Sequence, residues 1–121
     1  MADWAEEGFT EGVAQGMERP EWLMARLFAI RAEALLEGLA ADRARARLSG
    51  LLIGAELAAA KPYWLGQRVA VIGAAPLAQH YAQALGTLSV PVSRHDATDM
   101  TLAGLIAARA LLPRSEQSCA N

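Results

Sequence analysis

The run Val69-Ala70-Val71-Ile72 constrains this chain more than any other four residues. It is short, wholly apolar and rich in β-branched side chains, which is the composition of a strand covered on both faces in a parallel sheet. Gly73 follows, where a chain can turn with no Cβ to clash, and Pro76 suits the first turn of a helix, where its missing N–H costs nothing. Leu77, Tyr81, Ala84, Leu85 and Leu88 then recur at helical spacing, so the next helix buries one face. "VPVSRH" (Val90 to His95) reads as a second short strand. Two strands joined through a helix pair in parallel with a right-handed crossover.

A strand of central composition needs a neighbour on each edge, and the chain offers one. A two-stranded parallel sheet has little stability of its own. The expectation is therefore an incomplete α/β domain of about five helices and two parallel strands, with a partner chain or further chain supplying what is missing.

The helices are read from periodicity and breakers. "DWAEEGFTEGVAQGM" is a short helix with Phe9 and Val13 on one face, and Gly8, Gly12 and Gly16 either weaken it or let it pack closely. "PEWLMARLFAIRAEALLEG" starts at Pro20, buries Leu23, Leu27, Ile30 and Ala34, widens that stripe with Met24, Phe28 and Leu35, and ends at Gly38. Arg43 to Lys61 forms a third helix, basic and exposed in its first half and apolar nearly all round in its second. Gly50, Gly54 and Ala58, four apart, make a smooth strip expected to lie on the sheet. Each glycine costs roughly 1 kcal/mol against Ala, which close packing has to offset. Pro62 ends this helix, with "YWLGQ" as a loop. In the last helix, "DATDMTLAGLIAARALLP", Asp96 or Thr98 is the cap, Leu102, Leu105, Ile106 and Leu112 form the buried face, and Pro113 is the stop. Residues 1–113 then form one unit and 114–121 a flexible tail.

With 121 residues, 54% of them hydrophobic and 20% charged, the chain is neither disordered nor large enough for several domains. A net charge of −2 gives no broad basic surface for nucleic acid. No apolar run is long enough to span a bilayer, and the acidic N-terminus is unlike a signal peptide. Cys119 is the single cysteine, so no intramolecular disulfide forms, and the expected location is the cytoplasm. Trp4 and Trp64 flank helices and read as packing anchors.

Candidate chemistry is sparse. There is no Gly-x-x-x-x-Gly-Lys-Ser/Thr loop, and "GAAPLA" keeps only the first glycine of a dinucleotide fingerprint. His80 and His95 lie in different elements, and no metal-ligand spacing occurs. His80 reads as a surface residue, His95 and Asp96 as turn and cap residues, and Glu56 as a rim carboxylate or salt-bridge partner. Gly73-Ala74-Ala75 remains: small residues at a strand's carboxyl end beside a helix N-terminus let a ring or a phosphate approach the backbone. A tight packing corner is the competing reading.

Taken in order, "RLFAIRAEALLEGL", "ARLSGLLIGAEL", "VAVIGAAPLAQHYAQAL" and "DATDMTLAGLIAA" resemble the C-terminal part of the 2-dehydro-3-deoxygalactonokinases, over roughly Phe9 to Ala108. That family belongs to the sugar kinase, actin and heat-shock-protein superfamily, whose members have two ribonuclease-H-like domains with ATP and sugar in the cleft between them. The resemblance implies a helix-rich portion of such a domain, beginning after an antiparallel strand meander. It implies that Gly73, Ala74 and Ala75 match the adenosine motif, and that Ala103 and Gly104 lie where two helices cross at the interdomain hinge. It also implies ATP with Mg²⁺ as cofactors and a 2-keto-3-deoxy sugar acid as substrate. The family's Asp-Trp-Gly-Thr-Thr-Asn phosphate loop has no counterpart, since "ADWAEEG" shares only Asp3 and Trp4. No catalytic residue is assigned, and the chain alone is expected to be inactive. The alternative from another class is a non-enzymatic helical module that self-associates or binds a protein partner through its open strand edges.

Overall fold

Glycine sets how the first half of the chain packs. The computed structural model describes residues 4–114. Helix α1 (Glu6–Glu18) lies against α3 (Ala41–Ala59), with α2 (Leu23–Leu36) between them in sequence after a single 3₁₀ turn at Pro20–Trp22. A Cβ placed on Gly12 would stand 2.5 Å from the Arg47 carbonyl oxygen, and one on Gly16 would stand 2.5 Å from that of Leu51. In return, Gly50 and Gly54 lie under the carbonyls of Phe9 and Val13. The two backbones thus interlock with no side chain between them. The small-residue strip of α3 faces α1 rather than the sheet, because α1 carries glycines at matching spacing.

Phe9, Val13, Ala46, Leu51, Ile53 and Leu57 fill the core around this contact. Arg47 belongs with them: it is only 8% exposed and pairs with Glu33 of α2 at 2.5 Å. The first half of α3 is therefore not uniformly exposed. Helix α2 ends at Leu36, and Gly38 follows with φ +69, the left-handed stop expected of it. Ile30 of α2 is buried and Leu23, Leu27 and Ala34 are half-buried, while Met24 and Phe28 are each 75% exposed, so only the outer part of its broad apolar stripe lacks cover among the described residues.

Helix α3 stops at Ala59, and Lys61–Trp64 makes one further helical turn, α4, where a loop was expected. Pro62 starts that turn rather than ending α3. Trp64 is buried, and its indole N–H donates to the Leu57 carbonyl at 2.8 Å, an anchor as expected. Strand β1 (Val69–Gly73), helix α5 (Ala75–Thr87), strand β2 (Val92–Asp96) and helix α6 (Ala97–Leu111) complete the chain. The strands pair in parallel, Val69 with Val92 through Gly73 with Asp96, so β2 lies two residues later than expected at its start. Val69, Val71, Val90 and Val92 pack against the core, whereas Ile72 is 59% exposed. The expectation of a strand covered on both faces is corrected, because helices cover only one face of it here.

Asp96 caps α6: its carboxylate accepts from the backbone N–H groups of Thr98 and Asp99 at 2.9 and 3.1 Å. No residue of α6 is buried. Leu102, Leu105, Ile106 and Leu112, expected to face a core, are 55–71% exposed. Their pattern is amphipathic, but the described residues supply no surface for it. Gly104 likewise has nothing within 4 Å of a built Cβ. The expected tail falls almost wholly at 115–121, outside the described residues, as does Cys119. No described helix is long and apolar enough to cross a membrane.

Candidate functional site

The carboxyl ends of both strands and the first turn of α5 border an open cavity of about 480 Å³. Its lining is Gly73, Ala75, Ala78, Arg94, His95 and Asp96. The placement follows from the fold: in parallel α/β sheets, both chain turns at the carboxyl end move away from the sheet and leave a crevice. Ala74 sits between two lining residues as the N-cap of α5, in extended conformation and with no side chain to cap the helix. Proline occupies the first turn. The opening turn of α5 therefore presents backbone N–H groups with no side-chain cap of their own.

Gly73 stands at the end of β1, on the cavity wall. A Cβ built there meets nothing within 4 Å, and φ is not positive; among the described residues, positive φ occurs at Gly38, Gly66 and Ser89. The backbone torsion does not require glycine, and no neighbour excludes a side chain. What the missing side chain leaves is open space at the cavity wall.

On the β2 side, Arg94 lines the cavity and makes no salt bridge among the described residues. His95 Nε2 lies 3.1 Å from the Ser93 hydroxyl, and Asp96 is committed to its cap. Sequence reasoning found His95 and Asp96 as strand-end residues but missed Arg94. The strand register carried the missing signal, since Val71 opposite Arg94 faces the core side near α5.

His80 is not a surface residue. Its ring stacks on Trp4 with centroids 4.1 Å apart and planes 19° apart, with Phe9 at 5.3 Å. Glu56 finds a partner across the core edge, accepting a hydrogen bond from the Tyr81 hydroxyl. That bond, with partial burial and the carboxylate's charge, pushes the Tyr81 phenol up to about 12. No group of three or more His, Cys, Asp or Glu that could hold a metal ion occurs among the described residues.

The family model of 2-keto-3-deoxy-galactonokinase matches residues 1–108. The crystal structure of a Sinorhizobium meliloti protein described as a 2-dehydro-3-deoxygalactonokinase superposes with a TM-score of 0.80 at 38% identity, covering 98% of this chain and 39% of that one. The present chain thus spans well under half the length of this solved neighbour. No curated protein matches the chain.

Proposed function

This chain belongs to the 2-keto-3-deoxy-galactonokinase family, and from that membership we propose that it forms the nucleotide side of an ATP-dependent sugar-acid kinase. The enzyme transfers the γ-phosphoryl group of ATP to the terminal hydroxyl of 2-dehydro-3-deoxy-D-galactonate, giving the 6-phosphate. The reaction runs in the cytoplasm, where ATP is available and a lone cysteine stays reduced.

The observation that carries the nucleotide role is the open space at Gly73, on a cavity at the carboxyl ends of parallel strands. Gly73 and Ala75 leave room for a flat ring to lie against the backbone, with Ala74 turning the chain into α5. Arg94 adds positive charge to the same cavity. Phosphoryl transfer depends on positioning and electrostatic stabilisation, so a segment can serve it without holding the catalytic base. ATP supplies the phosphoryl group when bound; the residues here bind and orient its nucleoside end. They do not fit Mg²⁺, because no carboxylate cluster is present among the described residues and Asp96 caps α6. A metal ion would be held by the nucleotide and by residues outside this chain.

Gly73→Val in the kinase that contains this segment tests the role. The KM for ATP is expected to rise roughly tenfold or more, equivalent to about 1.4 kcal/mol of binding. The KM for the sugar acid and the melting temperature stay put, since the new side chain enters open space. An unchanged KM for ATP, or equal rises for both substrates, refutes the assignment.

The second reading, a non-enzymatic module that self-associates, draws on the exposed apolar faces of α2 and α6. Family membership favours the kinase.

A further inference from the structure

The outer face of α2 is built to meet a copy of itself. The helix packs on α3 and buries Ile30, while Met24, Ala25, Phe28, Arg31 and Leu35 stand exposed. Met24, Phe28, Arg31 and Leu35 follow one another at steps of four, three and four residues, so they form one ridge along the helix. That spacing is the seam of a two-helix coiled coil. The ridge is also symmetric in position about the point between Ala29 and Ile30. Met24 mirrors Leu35, and Phe28 mirrors Arg31.

Two copies related by a two-fold axis make every contact twice, residue i on j and j on i. In an antiparallel pair centred on that point, Met24 of each copy packs on Leu35 of the other. The Arg31 guanidinium of each lies over the Phe28 ring of the other, a cation–π contact. Ala25 flanks the ridge with a side chain small enough for close approach. Arg31 makes no salt bridge among the described residues. In a parallel, in-register pair it would meet its own like charge, so the ring opposite fixes the direction of pairing. A ridge made for an unrelated occupant has no reason to carry its one cation and its one ring at mirrored positions. We propose that a second copy of this chain docks antiparallel on the α2 ridge, forming a two-fold dimer.

This face is separate from the cavity at Gly73, since both strands pack on α5 and α2 packs on α3. Dimerisation there is independent of nucleotide binding, and its test needs no ligand. The 14 residues of α2 make a face about 21 Å long and about 10 Å wide. That is smaller than the about 800 Å² per partner of a standard interface, so the dimer is weak and concentration-dependent. Covalent capture suits such a contact better than a size measurement alone.

The experiment removes the native thiol by Cys119→Ser and places Met24→Cys in one preparation of the 121-residue chain and Leu35→Cys in another. Both sites are exposed, so the fold is kept, as far-ultraviolet circular dichroism verifies. Under mild oxidation, the mixture of the two is expected to give a disulfide-linked pair identified by mass. Either preparation alone should not, because like positions eleven residues from their mirrors lie about 16 Å apart, beyond the about 7 Å that a disulfide can bridge. Phe28→Lys, which sets a cation against Arg31 of the other copy, should lower the linked yield at least tenfold. Adding Arg31→Glu to Phe28→Lys should restore it, and Leu105→Glu in α6 should leave it unchanged. The same cysteine pair should link in the kinase that contains this segment. The proposal is overturned if the mixture does not link, or if the single preparations link as well as the mixture. It is overturned if Leu105→Glu lowers the yield as much as Phe28→Lys, which places the association on α6, or if Arg31→Glu gives no rescue. It is also overturned if only the 121-residue chain links, which makes the rest of the kinase polypeptide the occupant of the ridge.

Discussion

Replacing Gly12 by alanine should destabilise this protein, although alanine is the better helix former. The built Cβ stands 2.5 Å from the Arg47 carbonyl oxygen and 2.9 Å from the Leu51 nitrogen, about 0.9 and 0.5 Å short of the 3.4 Å where ordinary contact begins. Both obstacles are backbone atoms of α3, so no rotamer change relieves them and the helices must separate. Overpacking of this kind costs about 1–3 kcal/mol. Helix propensity returns about 1 kcal/mol. Separation also loosens Phe9, Val13 and Leu51, which are at most 4% exposed and pack at the same interface. The two terms leave about 0–2 kcal/mol and the loosened core moves the loss to the upper part of that range, at roughly 4–8 °C in Tm for each kcal/mol in a small domain. Gly86→Ala in α5 is the matched control, since its Cβ meets nothing within 4 Å. It should raise stability by about 0.5–1 kcal/mol. Thermal melts followed at 222 nm, with urea midpoints, measure both. A Gly12→Ala protein that melts at or above the parent refutes the close-contact account. So does a Gly86→Ala protein that loses as much stability as Gly12→Ala.

Two further outcomes follow from side-chain pairs. The Tyr81 phenol, raised from 10.0 to about 12 first by its bond to Glu56, contributes stability that is fully present below pH 10 and lost as pH climbs towards 12. Absorbance titration near 295 nm should show one phenol ionising late, and Glu56→Gln should bring it earlier; an unmoved curve contradicts the assignment. Glu33→Ala, which strands the buried Arg47, should cost about 1–3 kcal/mol by urea denaturation. Glu11→Ala, which breaks the exposed pair with Arg43, should cost less than about 1 kcal/mol, and equal losses would show that burial of Arg47 is not the determinant.

Local signals were legible in the sequence, and their counterparties were not. The β-branched run, the glycine that ends it, the proline at the head of α5 and the Asp96 cap each act within a few residues, so reading them required no tertiary knowledge. The α3 glycines announced a close approach, but which element approached depended on α1 carrying glycines in step with them. His80 looked like a surface residue because Trp4, its stacking partner, is 76 positions away in the chain. Arg47 sits in a run of alternating arginines, and only the position of Glu33 on α2 distinguishes it from Arg43 and Arg45. The candidate site divides in the same way. Gly73 and Ala75 are visible as a motif, whereas Arg94 joins them only through strand register. Amphipathic spacing in α2 and α6 states that a face seeks cover without stating which chain provides it.

Helix α6 has a thermodynamic consequence of its own. It is fifteen residues long, held at its start by Asp96, and buries none of its residues. An isolated helix of that length is marginal in water. The order of α6 is therefore a local equilibrium, able to open while α1, α3 and α5 stay folded, and it belongs at the low end of the molecule's opening free energies. If a surface covers Leu102, Leu105 and Ile106, that equilibrium becomes part of the association itself. The heat-capacity decrease on binding then includes a coil-to-helix contribution, and the helicity of α6 reports assembly before any catalytic readout does.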